Sequence, residues 1–289
     1  MDRFRASFRA FLTLAVGAGA WLAGGSAHAD LPKNWQITFQ TPASPVMERI
    51  NDLHNLLMVI ITLITLFVLG LLLYVAVRFN EKANPVPSKT THNTMIEVLW
   101  TVIPVIILVV IAVPSFKLLY FMDRHPNPEM TLKVTGHQWY WSYEYPDHGG
   151  LKFDSIPIDT EKLKPGEPRL LTVDNRVVLP VGTDIRVLQT AADVIHNWAV
   201  PAFGLKLDSV PGRSNENWVR ITREGTYYGQ CSELCGVNHF FMPIVIDAVS
   251  KQAFAAWVEK AKKQFADSMP APANDAAPVA VARAAPAAR

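Results

Sequence analysis

Cys231-Ser232-Glu233-Leu234-Cys235-Gly236-Val237-Asn238-His239-Phe240-Phe241-Met242 is the stretch on which the reading of this chain turns. It holds both cysteines of the sequence and adds an imidazole and a thioether within one short loop. It runs directly into a β-like segment, Met242-Pro243-Ile244-Val245-Ile246. Upstream, Val194-Ile195-His196-Asn197-Trp198 places a second imidazole at the end of another β-like run. Soft sulfur with imidazole suits copper, and a mononuclear blue-copper site uses two His, one Cys and a weak axial Met. This chain has one thiolate more. Two thiolates can bridge two metals, so the donors fit a binuclear copper centre: Cys231 and Cys235 bridging, His196 on one metal, His239 on the other, and Met242 as a weak axial ligand. Two other readings use the same residues. A cysteine pair in an exported chain commonly closes a disulfide, the spacing permits one, and a disulfide is the expected state of the copper-free protein. A zinc site with two Cys and two His is the second, but zinc has no use for the thioether and the His spacing is wrong for a finger.

Around this loop the second half of the chain reads as short β-like runs separated by Pro, Gly and Asp. Thr131–Thr135, Leu170–Val173, Ile185–Leu188, Asn217–Ile221 and Met242–Ile246 are the clearest, with turn signals at Lys164-Pro165-Gly166, Pro180-Val181-Gly182 and Arg223-Glu224-Gly225. Many short strands with such punctuation predict a β-sandwich or barrel. In the aromatic run 136–145, alternation along one strand would put His137, Trp139, Trp141, Tyr143 and Tyr145 on one face and Gln138, Tyr140, Ser142 and Glu144 on the other. Residues 251–265 read as a helix, with Phe254, Trp257, Val258, Ala261 and Phe265 near one face. The Ala- and Pro-rich stretch 266–289 reads as a disordered tail. No βαβ alternation, phosphate-binding glycine loop or nucleophile–base pair is present, which excludes the common nucleotide-dependent and hydrolytic classes.

The apolar residues concentrate in three segments before Tyr120. Residues 1–29 combine a basic start (Arg3, Arg5, Arg9), a short apolar core and Ala27-His28-Ala29 as a small-x-small cleavage site, the pattern of a secretory signal peptide. Residues 30–52 would follow as a segment on the outer side. Two runs long enough to span a bilayer come next, at about 53–77 and 96–122, giving a hairpin over 53–122. Pro104 and Pro114 interrupt the second, which membrane helices tolerate. Arg78, Lys82 and Lys89 in the intervening loop hold it in the cytoplasm. Signal cleavage and loop charge therefore agree, and the domain at 123–250 faces the periplasm. The formal charge of +2, with no basic cluster, points away from nucleic acid as a partner.

The loop Cys231–Pro243, the run His196-Asn197-Trp198-Ala199-Val200-Pro201 and the run Gly136-His137-Gln138-Trp139-Tyr140-Trp141-Ser142-Tyr143-Glu144-Tyr145 together resemble subunit 2 of cytochrome c oxidase. The resemblance covers about residues 35–246, helix hairpin included. It implies a two-helix transmembrane hairpin followed by an all-β, cupredoxin-like Greek-key barrel or sandwich that carries a binuclear copper centre. The implied copper ligands are His196, Cys231, Glu233 through its backbone carbonyl, Cys235, His239 and Met242, and the Glu233 side chain would help bind a magnesium ion shared with subunit 1. Trp139 would be the point of electron entry from cytochrome c. Glu144, Asp154, Asp174 and Asp193 fall where family acids dock that basic partner. Residues 123–250 hold 16 acids against 12 Lys and Arg, a modest excess. Glu97, at the start of the second membrane helix, matches the mouth of a proton pathway into subunit 1, although an acid there also suits the helix dipole.

The implied activity is that of the electron-accepting subunit of a proton-pumping, aa3-type oxidase in a bacterial inner membrane. Its partners would be cytochrome c, subunits 1 and 3 and membrane lipid, with haem only in subunit 1, where oxygen is reduced. The chain lacks Cys-x-x-Cys-His, so no covalent haem or fused cytochrome domain is expected. Two rivals share features with this reading. A quinol oxidase subunit has the same fold but lacks the copper ligands. A membrane-tethered copper chaperone or store would need neither Trp139 with its flanking aromatics nor a helix hairpin.

Overall fold

The computed structural model describes residues 31–124 and 127–266; the signal-peptide reading of 1–29 and the tail from residue 267 onward lie outside them. Two long helices come first, α1 at Pro45–Arg78 and α2 at Thr94–Asp123. Both are long and apolar enough to cross a bilayer, and the chain buries none of the apolar window of either. α1 starts where Ser44 Oγ accepts the Met47 N–H at 3.0 Å, with Pro45 in the first turn. α2 starts where Asn93 Oδ1 accepts from Met95 N and Ile96 N. Both are the side-chain caps that a helix N-terminus requires.

α1 begins at Pro45 rather than at the expected residue 53. Glu48, Arg49 and Asp52 interrupt an apolar run but not a capped helix. The added turns are anchored, because Val46 and Met47 are buried and the Ser44 hydroxyl donates to Phe203 O at 2.6 Å. Gly204 lies beneath them with φ +68°. A Cβ there would meet Ile50 Cδ1 at 2.7 Å and Met47 Cα at 3.3 Å, so only glycine lets the helix sit this close. The end of α2 is anchored separately, by Trp218 Nε1 donating to Met122 O at 3.1 Å and by the Phe121 ring set edge-on to Trp218 at 5.5 Å.

Ten strands follow: β1 Met130–His137, β2 Tyr140–Tyr145, β3 Leu151–Ser155, β4 Val177–Pro180, β5 Ile185–Ala191, β6 His196–Val200, β7 Leu205–Ser209, β8 Asn215–Val219, β9 Gly225–Cys231 and β10 Pro243–Val249. One sheet has the order β3-β2-β1-β5-β8 and the other β4-β10-β9-β6-β7. The β1–β5 and β4–β10 pairs are parallel and the rest antiparallel. This is the cupredoxin-like architecture expected from the sequence. Strict alternation puts Leu132 and Val134 of β1 and Ile185 and Val187 of β5 into the space between the sheets. There they meet Trp141, Tyr143 and Trp198, all fully buried, and Trp198 Nε1 donates to Tyr143 Oη at 3.2 Å. α3 (Lys251–Gln264), capped by Ser250, closes one side, its Trp257 and Phe265 rings packing on Tyr145 and Phe153.

Two expectations are corrected. The run His137–Tyr145 is not one strand, because β1 turns back into β2 at Gln138-Trp139, a cis peptide. Trp141, Tyr143 and Tyr145 do share the inward face of β2, but Trp139 lies at the tip of the hairpin. Leu170–Val173 is not a strand either. Leu170 has φ +64°, and only Val173 makes a bridge, to Pro157, so the run is apolar without a sheet neighbour.

Where β5 meets β7, Ala191 and Pro211 form a parallel bridge and Thr190 Oγ1 donates to Val210 O at 3.3 Å. Two residues back on each strand, this register sets Gln189 beside Ser209. Both are fully buried, and their side-chain polar atoms have no partner within the chain. Unpaired buried polar groups cost about 1–3 kcal/mol each. Replacing Gln189 with Leu and Ser209 with Ala together is therefore expected to stabilise the β domain by roughly 1–3 kcal/mol, read as a higher urea midpoint at unchanged slope. A lower midpoint would show that these polar groups support the fold.

Candidate metal centre

Strand pairing brings the donors together. His196 opens β6 and Cys231 closes β9, with Trp198 opposite Cys231 in the register. The loop between β9 and β10 is pinned at its base, where Cys231 N donates to Met242 O at 3.3 Å, and to β6, where Ser232 N donates to Asn197 O at 3.1 Å. Within it, His239 N donates to Gly236 O and Phe241 N to Asn238 O, which curl His239 back over the cysteines.

The two thiols are unlinked, with their sulfurs 3.9 Å apart. His196 Nδ1 is 3.9 Å from Cys231 Sγ, and His239 Nδ1 is 3.6 Å from Cys235 Sγ. Met242 Sδ is 3.4 Å from Cys235 Sγ, and Glu233 O is 3.3 Å from Cys231 Sγ. Two atoms each about 2.0–2.3 Å from one metal at a tetrahedral angle stand about 3.3–3.8 Å apart. The spacing therefore suits donors that share metal ions. The carbonyl lies against Cys231 and the thioether against Cys235. The His196, Cys231 and Cys235 donor atoms all lie within 4.8 Å of one another. His196, Cys231, Cys235 and Met242 are buried, whereas the Glu233 side chain is exposed.

The two thiols are shifted in opposite directions. Burial disfavours charge on either thiol. At Cys231 the hydrogen bond with His196 overcomes it and brings the thiol down to about 7. At Cys235 burial, and then the neighbouring Cys231 charge, push the thiol up to about 12. Charge on one sulfur thus disfavours charge on the other.

Asp193 takes a place that sequence reasoning did not give it. Its Oδ1 lies 2.8 Å from His196 Nε2, which orients the ring and turns Nδ1 toward Cys231. Oδ1 also accepts the Val194 N–H at 2.6 Å, and the other oxygen accepts the Gln138 N–H at 2.7 Å. Burial opposes the charge, but these three donors hold its carboxyl below the usual range. One carboxylate thus joins the candidate ligand His196 to the turn that carries Trp139. That turn also rests on the ligand loop, since Trp139 Nε1 and Gln138 Nε2 both donate to Cys235 O, at 3.2 and 2.8 Å. Gly236 (φ +118°) lies under the indole, where a Cβ would be 3.0 Å from Trp139 Cζ2. Gly136 similarly clears the His196 ring, which a Cβ would meet at 2.8 Å. No local pattern marks these glycines, because the need for them arises only when the two sheets meet.

The other expected site residues are spread out. Asp154 accepts from Ser142 Oγ at 2.6 Å, and Ser142 also contacts His137 Nε2 at 3.0 Å. Asp174 accepts the Ile156 and Asn175 N–H groups, and Glu144 pairs with Lys133 at 3.1 Å. Glu97 is in the first turn of α2, about 39 Å along the helix from Asp123 at 1.5 Å per residue.

Comparison with known proteins gives a consistent result. The family model described as cytochrome C oxidase subunit II, periplasmic domain, matches residues 130–249, and the one for the transmembrane domain of the same subunit matches residues 32–118. The chain is 57% identical over 235 residues to the probable cytochrome c oxidase subunit 2 of Rickettsia felis, covering 81% of this chain and 75% of that one. It is 52% identical over 234 residues to cytochrome c oxidase subunit 2 of Chondrus crispus, covering 79% of this chain and 92% of that one. Among solved structures, the periplasmic domain of subunit II of the Bradyrhizobium japonicum oxidase aligns at 54% identity and a TM-score of 0.46, over 49% of this chain and 99% of that one.

The contact of Asp193 with His196 separates two roles for this acid. Asp193→Ala is expected to lower copper affinity about 10–100-fold, measured by competition with a chelator. Unchanged affinity would leave Asp193 as a surface acid alone.

Proposed function

Because the chain belongs to the cytochrome c oxidase subunit II family, and is thereby a subunit of an oxidoreductase complex, we propose that it accepts single electrons from cytochrome c and delivers them to haem in subunit 1. The observation that carries this reading is the pair of buried, unlinked thiols with two imidazoles and a thioether beside them. His196, Cys231, the Glu233 carbonyl, Cys235, His239 and Met242 are the residues that would hold two copper ions. Copper in this donor set supplies a one-electron carrier.

The protein's own part is to hold the donors still and dry. β6, β9 and the pinned loop fix them from three sides, and the ligand sulfurs are almost wholly buried. Little rearranges when charge changes in such a site. Trp139 is half-buried at the tip of the β1–β2 hairpin and hydrogen-bonded to the backbone of Cys235, so its ring joins the surface to the ligand loop. The exposed acids Asp154, Asp174 and Asp193, with the half-buried Glu144, steer a basic donor to this face. The exposed Glu233 carboxylate would share a magnesium ion with subunit 1. Glu97, capped into the first turn of α2, serves proton entry from the cytoplasmic side of a proton-pumping, aa3-type enzyme. Oxygen chemistry belongs to subunit 1, and subunit 3 completes the assembly. This places the chain in a bacterial inner membrane, with signal cleavage after Ala29, two spans and the copper domain in the periplasm. A copper carrier would present its sulfur donors to a recipient; burial of Cys231, Cys235 and Met242 favours the electron-transfer reading.

Two measurements test the proposal. The β domain refolded with copper is expected to bind two ions per chain and to show a mixed-valence near-infrared spectrum, which Met242→Leu shifts and loss of either cysteine abolishes. One ion per chain, or a disulfide that resists metal after reduction, contradicts it. In the intact oxidase, Trp139→Ala is expected to cut the electron-transfer rate from cytochrome c by orders of magnitude while copper content holds, with Trp139→Phe reporting the effect of packing alone. Neutralising Asp174 should instead weaken docking, with a loss that fades as salt rises. A near-normal rate in Trp139→Ala would make the ring a packing residue.

A further inference from the structure

The outer ends of α1 and α2 do not close on one another. A cavity of about 280 Å³ lies between them, with Arg49, Asp52 and Lys117 among its lining residues. Its remaining walls are apolar, from Leu53, Leu56, Pro114 and Leu118. The depth of each group follows from the sequence. The uncharged run of α1 starts at Leu53, one turn after Arg49, and that of α2 ends at Phe116, immediately before Lys117. In an antiparallel hairpin both cations therefore stand at the same boundary between hydrocarbon and headgroups. Leu53, Leu56 and Pro114 lie deeper.

The two cations also share a side of the hairpin. Arg49 Cζ sits 3.5 Å above the Phe121 ring, and Phe121 is one helical turn beyond Lys117. Among the described residues neither Arg49 nor Lys117 has a carboxylate within salt-bridge distance. Two cations and one carboxylate leave the lining with a net charge of +1. That complements a single phosphodiester, and the apolar walls below suit an acyl chain. Free phosphate matches the charge but has no use for those walls.

We propose that this cavity is a binding site for one membrane phospholipid, held by its phosphodiester between Arg49 and Lys117, with an acyl chain along Leu53, Leu56 and Pro114. The site is independent of the copper centre. A lipid there would fill the gap between the helices at the level where the hairpin meets the β domain.

The test uses the intact oxidase, purified in detergent, delipidated and studied by native mass spectrometry while phosphatidylglycerol or phosphatidylethanolamine is added back. Lys117→Gln leaves the Arg49–Phe121 contact in place and carries the main comparison; Lys117→Arg keeps the charge; Lys89→Gln in the cytoplasmic loop is the control. The wild-type complex, Lys117→Arg and Lys89→Gln are expected to retain one phospholipid more than Lys117→Gln. Affinity for that lipid should fall roughly tenfold or more in Lys117→Gln, the scale of a lost charge-assisted hydrogen bond. Retention of phosphatidylglycerol alone would mark an anionic headgroup, and equal retention of both lipids a phosphodiester that Asp52 helps share with an ammonium group; either supports the site. A photoreactive residue in place of Leu56 should label lipid. Equal lipid counts in wild type and Lys117→Gln, labelling of another subunit from position 56, or displacement of the lipid by millimolar inorganic phosphate would each overturn the proposal.

Discussion

The structure depends most on the closure of one loop against one strand. All the candidate donors except His196 come from the stretch 231–242, and such a stretch cannot by itself keep Cys231, His239 and Met242 within 4 Å of Cys235 while burying the three sulfurs. Sheet pairing supplies the constraint. Cys231 N bonds to Met242 O at the base, Ser232 N reaches across to Asn197 O on β6, and the same strand presents His196. β6 and β9 are paired neighbours in one sheet, so backbone hydrogen bonds set their spacing. Trp198 and Trp141 flank the site, and the Trp141 indole donates to the Met242 carbonyl at 3.3 Å.

A second tie follows from the first. The hairpin turn at Gln138-Trp139 is fastened to the ligand loop through Cys235 O and to His196 through Asp193. Surface and metal site are thus parts of one hydrogen-bonded body. The exposed Asp193 carboxylate and the half-buried Trp139 ring are thus both hydrogen-bonded to the candidate donors or to their loop.

The sequence made much of this legible because the informative signals are local. Uncharged runs and a basic loop mark a hairpin, punctuation by Pro and Gly marks a β domain, and soft donors crowded into one loop mark copper. What it concealed depends on neighbours distant in the chain. The start of α1 was hidden because its charged first turns are helical through capping and through contact with Gly204, some 150 residues away. The Gln138-Trp139 turn was hidden because neither residue is a usual turn former. Leu170–Val173 looked like a strand because it is apolar, yet no strand lies beside it. Asp193 read as one surface acid among several: His196 is only three residues away, but the Gln138 N–H that ties the same carboxylate to the β1–β2 turn comes from 55 residues upstream.

The early start of α1 has a geometric consequence. Residues 45–52 continue the membrane helix about 12 Å beyond its uncharged run at 1.5 Å per residue, and their top is seated on Phe203 and Gly204. The helix therefore acts as a spacer of set height and set phase. Adding one residue to this stretch would raise the β domain by about 1.5 Å and turn it by about 100° around the helix axis, swinging Trp139 and the sulfur ligands to a different compass bearing. Length is thus constrained here more tightly than composition: side chains facing lipid or water can vary, but an insertion or deletion would aim the whole domain away from whatever stands beside it in the membrane.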